Sequence, residues 1–221
     1  MQNIMAIVLP LASTENGKLI SSAVLVGQKD NFPIFVSTLH QIGQLKDFKI
    51  GVPPHQGVIS SIQEYPQNKI NAIDVELVKA DPIYDLAFFK ANQKNIGGNI
   101  PNINIDYNEI SIGEELIVLG YPYSTLGSFL ETASITHVSA KGRRMFMNKI
   151  QIDEFIISHQ TLQGSSGSAV VKRSDGSLCG IVRGTLAPPN IVSIADVPLA
   201  SDTNVTYVTF SSIISETLKN L

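Results

Sequence analysis

The sequence holds one cysteine, Cys179, in 221 residues. No intrachain disulfide can form, which fits a reducing compartment. Neither sign of charge dominates: the formal net charge is −3, which argues against nucleic acid as the main partner. The basic cluster Lys141-Gly142-Arg143-Arg144 is short and reads as a solvated loop, not a binding patch. No apolar run approaches the roughly 18 residues of a membrane span. The opening MQNIMAIVLPLASTENG lacks a basic segment and has only a brief apolar run, so it makes a poor signal peptide. The lone cysteine and scattered histidines show no metal-ligand spacing. These absences lead us to expect a cytoplasmic protein without metal or cofactor, acting on neither membrane nor nucleic acid. Oligomeric state leaves no mark.

Charged residues are also few, at 16%, against 43% apolar. A packed core is therefore expected and disorder is not. The length suits one large domain or two small ones sharing an interface. Short runs rich in Val and Ile recur: SAVLVGQ, PIFVST, AIDVELVKA, DLAFFKA, EELIVLGYP, ASITHVSA, KIQIDEFIISH and VTYVTF. Each is of strand length and rich in strand formers. Asp175-Gly176 signals a hairpin, and Lys29-Asp30-Asn31 separates two further runs. Only the C-terminus has helical periodicity: Phe210, Ile213, Ile214, Leu218 and Leu221 share a face, with Ser211 or Ser212 placed to cap it. Many short strands with one terminal helix predict an all-β sandwich or a pair of barrels. The Asn/Gly-rich stretch 92–111 breaks the pattern and reads as the connection between two halves.

Three segments carry chemistry. VSTLHQIG places His40 directly after a strand, ADPIYDLAFFK places Asp85 at the start of one, and QGSSGSAVV sets Ser166 within a glycine pair. A serine hydroxyl is a weak nucleophile until an imidazole accepts its proton. The imidazole needs a carboxylate on its other nitrogen to fix its tautomer. A tetrahedral intermediate needs backbone amides aimed at its oxyanion. Gly164 permits the sharp turn that presents the amides of Gly164 and Ser166 to one point. The small Gly167 and Ser168 let strands approach behind the nucleophile. Asp81 is the rival to Asp85 and fits a turn cap equally well. His55, His137 and His159 have no partner pattern and read as structural. Cys179, inside an apolar run, reads as a buried thiol.

The order His, Asp, Ser on an all-β chain differs from subtilisin-like and α/β-hydrolase orders and fits the chymotrypsin type. The sequence resembles the chymotrypsin-fold serine proteases, closest to the Deg/HtrA-like and glutamyl-endopeptidase-like bacterial branches. GSSGSAVV is similar to G-[DN]-S-G-[GS]-P, STLH to T-[AN]-x-H, and KADPIYDLAFFK to D-x-x-x-D-L-A-x-L-K. IGEELIVLGYPYSTLGSFLETASITHVSAKGRR, GSLCGIVRG and YVTFSSIISETL resemble the family's later strands and closing helix. The likeness runs from about residue 20 to 221. It implies a single trypsin-like peptidase domain over 1–221, built as two perpendicular antiparallel six-stranded β-barrels. These are expected at 1–95 and 112–210, with a connection at 96–111 and an α-helix at 211–221.

The sequence departs from the family at Leu39, Ser165, Ala169 and Ser21-Ser22. With Ser165 in place of an acid, a salt bridge from a newly cut N-terminus cannot form in the usual way. No segment like a PDZ domain follows, so regulation by one is not implied. The resemblance implies a serine endopeptidase acting on a polypeptide substrate through an acyl-enzyme, with His40, Asp85 and Ser166 catalytic. It puts the substrate as a strand beside Gly180–Thr185. The pocket for the residue before the scissile bond falls on Gln160, Thr161, Val182, Arg183, Gly184 and Thr185. That pocket has no carboxylate, so an uncharged residue is expected and Lys or Arg rejected. The alternative is a protease-fold peptide-binding or scaffold module with little turnover.

Overall fold

The structure is a computed structural model. It describes residues 7–13, 18–52, 63, 71–94, 104–105, 110–123, 129–147, 149–162, 164–185, 192–194, 197–199 and 204–221. The apolar runs read from the sequence become strands. The first six are β1 (Val8–Ser13), β2 (Lys18–Lys29), β3 (Phe32–Thr38), β4 (Phe48–Val52), β5 (Asn71–Asp81) and β6 (Leu86–Ala91). They close into a barrel in the order β1-β2-β3-β6-β5-β4. The seam is β1 against β4, with Leu11 opposite Ile50.

The second barrel has β7 (Glu115–Gly120), β8 (Thr132–Phe146), β9 (Ile150–Ser158), β10 (Ala169–Lys172), β11 (Leu178–Thr185) and β14 (Val205–Phe210). Its order is β10-β11-β14-β9-β8-β7, closed by β10 against β7. Every pairing in both barrels is antiparallel. A small sheet pairs β12 (Val192–Ile194) with β13 (Val197–Leu199). The chymotrypsin-like double barrel is thus present. Closure removes the free edges that an open sheet would expose.

Both turn signals do what their chemistry predicts. Lys29 pairs with Phe32 across Asp30 and Asn31, whose φ values of +54° and +67° suit a two-residue hairpin turn. Gly176, at φ +75°, turns β10 into β11, while the Asp175 carboxylate accepts from the N–H and hydroxyl of Ser177.

Two local expectations fail. Lys141–Arg144 is not a loop but the outer half of β8. Its arginines face acids on β9: Arg143 pairs with Asp153 and Arg144 with Glu154. Cross-strand pairing of opposite charges stabilises the strand where a lone basic cluster would repel itself. The C-terminal helix, Ser211–Lys219, is not capped by Ser211 or Ser212. Phe210 is its N-cap, with a phenyl ring that offers no acceptor, and both serines already lie in the first turn. Ile214 is fully buried, and Ile213, Leu218 and Leu221 pack on the same apolar cluster.

Small residues join the barrels. Tyr121 N–H donates to Ser22 Oγ at 2.9 Å, and within the first barrel Ser37 Oγ holds the Ser22 carbonyl at 2.7 Å. A side chain on Gly167 would place its first carbon 2.0 Å from the Ser22 carbonyl oxygen. Thr209 Oγ1 reaches the Tyr84 carbonyl at 3.4 Å, tying β14 to the turn before Asp85.

Candidate active site

Each of the three chemical residues sits where a strand gives way to a turn. His40 is the second residue of a one-turn helix, Leu39–Ile42, that follows β3. Asp85 ends the turn between β5 and β6, with its backbone at φ +59°. Aspartate tolerates this left-handed conformation better than most residues. It is held there by bonds from the neighbouring segment: Leu39 N–H to the Asp85 carbonyl at 3.1 Å and His40 N–H to Asp85 Oδ1 at 2.8 Å. Asp81, its rival, caps that turn instead, accepting from Ile83 N–H at 3.0 Å and Tyr84 N–H at 3.2 Å.

The second Asp85 oxygen lies 2.6 Å from His40 Nδ1. The other ring nitrogen, Nε2, is 3.3 Å from Ser166 Oγ. A carboxylate only accepts, so neutral His40 carries its proton on Nδ1 and presents a lone pair at Nε2. Ser166 Oγ is also 3.3 Å from the Arg183 carbonyl oxygen. The imidazole is 44% exposed and the carboxylate 20%, so the base opens to solvent while its partner is sheltered.

The loop around Ser166 is pinned from behind. Ser165, buried, accepts from Leu162 N–H at 3.0 Å. Gly167 N–H bonds the Val182 carbonyl at 2.8 Å, and Val182 N–H bonds the Ser168 carbonyl at 2.9 Å. From the first barrel, Ser22 donates its N–H to the Ser166 carbonyl and its hydroxyl to the Gly164 carbonyl. With those carbonyls engaged, and Gly164 at φ +100°, the N–H groups of Gly164 and Ser166 have no acceptor among the described residues. Two unengaged amides in a rigid loop can receive an oxyanion.

These elements are those of one family. A trypsin-like peptidase domain matches residues 14–181. The chain belongs to the trypsin-like peptidase family. Solved structures agree in fold. The MamO protease domain from Magnetospirillum magneticum superposes with TM-score 0.69 at 15% identity, covering 97% of each chain. The active form of the Rv3671c protease from M. tuberculosis gives 0.68 at 15%, covering 98% of this chain and 81% of its own. The serine endoprotease from Yersinia pestis gives 0.66 at 18%, covering 99% and 65%. No curated protein matches the sequence.

The expected substrate residues of this trypsin-like peptidase domain are only partly brought together. Gly180 and Ile181 already have a strand on each side, β10 and β14, so no substrate strand can add there. Only Arg183, Gly184 and Thr185 run beyond β10: Gly184 and Thr185 pair, among the described residues, with β14 alone, and Arg183 sits at the register shift between Val182 and Gly184. Val182 is fully buried in the second barrel's core and cannot line an open pocket. Gln160 lies with His159 and Leu162 along a pocket of about 270 Å³, whose other wall is Pro122, Tyr123, Thr132 and Ser134. No residue from Val182–Thr185 reaches it, and Thr161, half-buried beside Gln160, is not in its wall either. Gln163 and His55 lie outside the described residues.

Arg183 is not a free cation. Its guanidinium lies 2.9 Å from Glu154 Oε2 and over the Tyr207 ring. Burial pulls its pKa below the ordinary value against the pull of Glu154. The remaining histidines sit apart: His137 is an exposed cross-strand partner of Glu115. His159 is half-buried, and burial lowers its pKa. Cys179 is buried as expected.

Sequence reasoning missed Ser22 and Gln41. Ser22 stood out only as a departure from a glycine-rich pattern. Gln41 was hidden because nothing in HQIG shows that the side chain after the histidine turns back to it. Its Nε2 is 2.8 Å from His40 Nε2 and 3.4 Å from Ser166 Oγ.

Proposed function

We propose that the chain is a serine endopeptidase that cleaves polypeptides through an acyl-enzyme. The observation that carries this reading is the imidazole of His40, bonded at one nitrogen by the Asp85 carboxylate and facing the Ser166 hydroxyl with the other. Ser166 Oγ attacks the peptide carbonyl as its proton passes to His40 Nε2. Asp85 holds the tautomer and stabilises the imidazolium. The oxyanion takes the N–H groups of Gly164 and Ser166. His40 then protonates the leaving amine, and water, activated by the same base, frees the acid. The substrate pairs with the unmatched edge of Arg183–Thr185, the geometry of strand addition. We place the protein in a reducing compartment, the cytoplasm, on its single cysteine.

The test is labelling by a fluorophosphonate probe together with turnover of unfolded casein. Ser166→Ala removes one hydroxyl and should abolish both, with turnover falling by several orders of magnitude. Casein cleavage by Ser166→Ala at the native rate would refute the assignment. A folded native protein that neither labels nor cleaves would return the chain to the alternative, a peptide-binding module.

A further inference from the structure

The shorter bond to His40 Nε2, the nitrogen that faces Ser166, comes from Gln41 and not from the serine. Neutral His40 offers a single lone pair, at Nε2. Two donors compete for it: the Gln41 amide at 2.8 Å and the Ser166 hydroxyl at 3.3 Å. The amide must present its nitrogen, because the nitrogen it faces has no proton to give. Ser166 has one proton and a second acceptor, the Arg183 carbonyl at 3.3 Å. In this arrangement the base is occupied by an amide and the nucleophile can spend its proton elsewhere.

The position of that amide is informative. It lies 2.8 Å from Nε2 and 3.4 Å from Ser166 Oγ. During peptide cleavage the departing nitrogen must approach the same two atoms. It leaves the carbon bonded to Oγ, and it takes its proton from Nε2. Gln41 therefore stands in the leaving-group position. Its side chain springs from the helix that carries His40 and is half-buried, so it can swing aside without disturbing the fold.

We propose that Gln41 is an amide latch that sets leaving-side specificity. It holds the His40 lone pair in the free protein and is displaced by the residues of the substrate that follow the scissile bond. The proposal rests on the endopeptidase reading above. A reagent with no chain on the leaving side cannot displace the latch and meets an occupied base. A long polypeptide displaces it and forms contacts in its place.

The test compares the native protein with Gln41→Ala and Gln41→Met. The methionine keeps the side chain's length but has no N–H, so it removes the bond without opening a cavity. The small reagent is a fluorophosphonate: Oγ–P forms, P–F breaks, the serine proton goes to His40 and fluoride departs. The large one is unfolded casein. Both variants should label faster by the weight of one ordinary hydrogen bond, about threefold to tenfold. Casein turnover should change by less, and thermal stability should not fall. Equal labelling in all three proteins would overturn the latch while leaving the endopeptidase reading intact. Slower labelling in the variants would overturn it too, making Gln41 an assistant. An equal gain on both reagents would remove the leaving-side role. If the native protein and both variants are folded but silent, and casein is uncut, the endopeptidase reading itself fails.

Discussion

The backbone N–H of Ser22, in the first barrel, donates to the carbonyl of Ser166, in the second, at 3.0 Å. The Ser22 hydroxyl does more. It donates to the Gly164 carbonyl at 3.2 Å and accepts from Tyr121 N–H at 2.9 Å and Ser168 Oγ at 3.3 Å. That fills the bonding capacity of a hydroxyl, one donor and two acceptors. One fully buried side chain thus spans both barrels and the Ser166 loop.

Ser22→Ala should therefore cost both stability and rate. It strands a buried amide and a buried carbonyl, each worth about 1–3 kcal/mol when left unsatisfied. It also removes the bond that fixes the Gly164 carbonyl, loosening the loop that presents the N–H groups of Gly164 and Ser166. We expect kcat to fall more than KM changes, because the amides matter most in the transition state. Denaturant melts and steady-state kinetics check the two parts.

Gly167→Ala should be far more damaging than an added methyl suggests. The new carbon would lie 2.0 Å from the Ser22 carbonyl oxygen and 2.6 Å from Ser37 Oγ, on a backbone at φ +80°. The first obstacle is backbone, and the second, a side-chain hydroxyl, is held by bonds to the Ser22 carbonyl and Ser21 Oγ. A loss of about 3 kcal/mol or more is expected, from overpacking and strain together. A melt showing native stability would mean that the barrels can part here without cost.

These two junction residues show where the sequence was and was not legible. Strands, hairpins and the His-Asp-Ser order could be read because they rest on local pattern and chain order. Asp85 could be preferred to Asp81 only by likeness, since both sit in the same turn. Ser22 could not be read, because its role depends on a contact spanning 142 residues. Val182 was misjudged for a related reason. Alternation along a strand decides which side chains face the core, and the register that sets it came from β14.

Stability should fall off at both ends of the pH scale. Burial lowers the pKa of His159, so the folded state resists a proton that the unfolded chain accepts. That penalty begins as pH drops below the free value of about 6.5 and grows until the folded group also protonates. Tyr121 works in the opposite sense. Burial, then the Glu131 carboxylate, raise its pKa well above the ordinary value. The unfolded chain ionises first, so stability is lost as pH rises past about 10. His159→Gln should flatten the acid limb and Tyr121→Phe the alkaline one, as read by thermal melts across pH.

Cleavage should avoid Lys and Arg. Among the described residues, the pocket beside Gln160 has no acidic residue in its wall. The carboxylate of Glu154, on β9, is already shared by Arg144 and Arg183. A cationic side chain would be desolvated without a partner, at a cost of several kcal/mol. Mass spectrometry of a peptide-library digest should show small or medium uncharged residues before the cut. Cuts mainly after Lys or Arg would reveal an acid not yet placed.

The position of β14 also sets a clock. It is the last of the described strands, yet it lies between β9 and β11 and touches the turn that carries Asp85. A nascent chain that has emerged only as far as residue 200 already possesses His40, Asp85 and Ser166. It still lacks the strand that joins β9 to β11 and pairs with Gly184 and Thr185. His40, Asp85 and Ser166 thus come early in the chain and the strand that braces their surroundings comes last, so a chain ending near residue 200 carries the three residues without that brace.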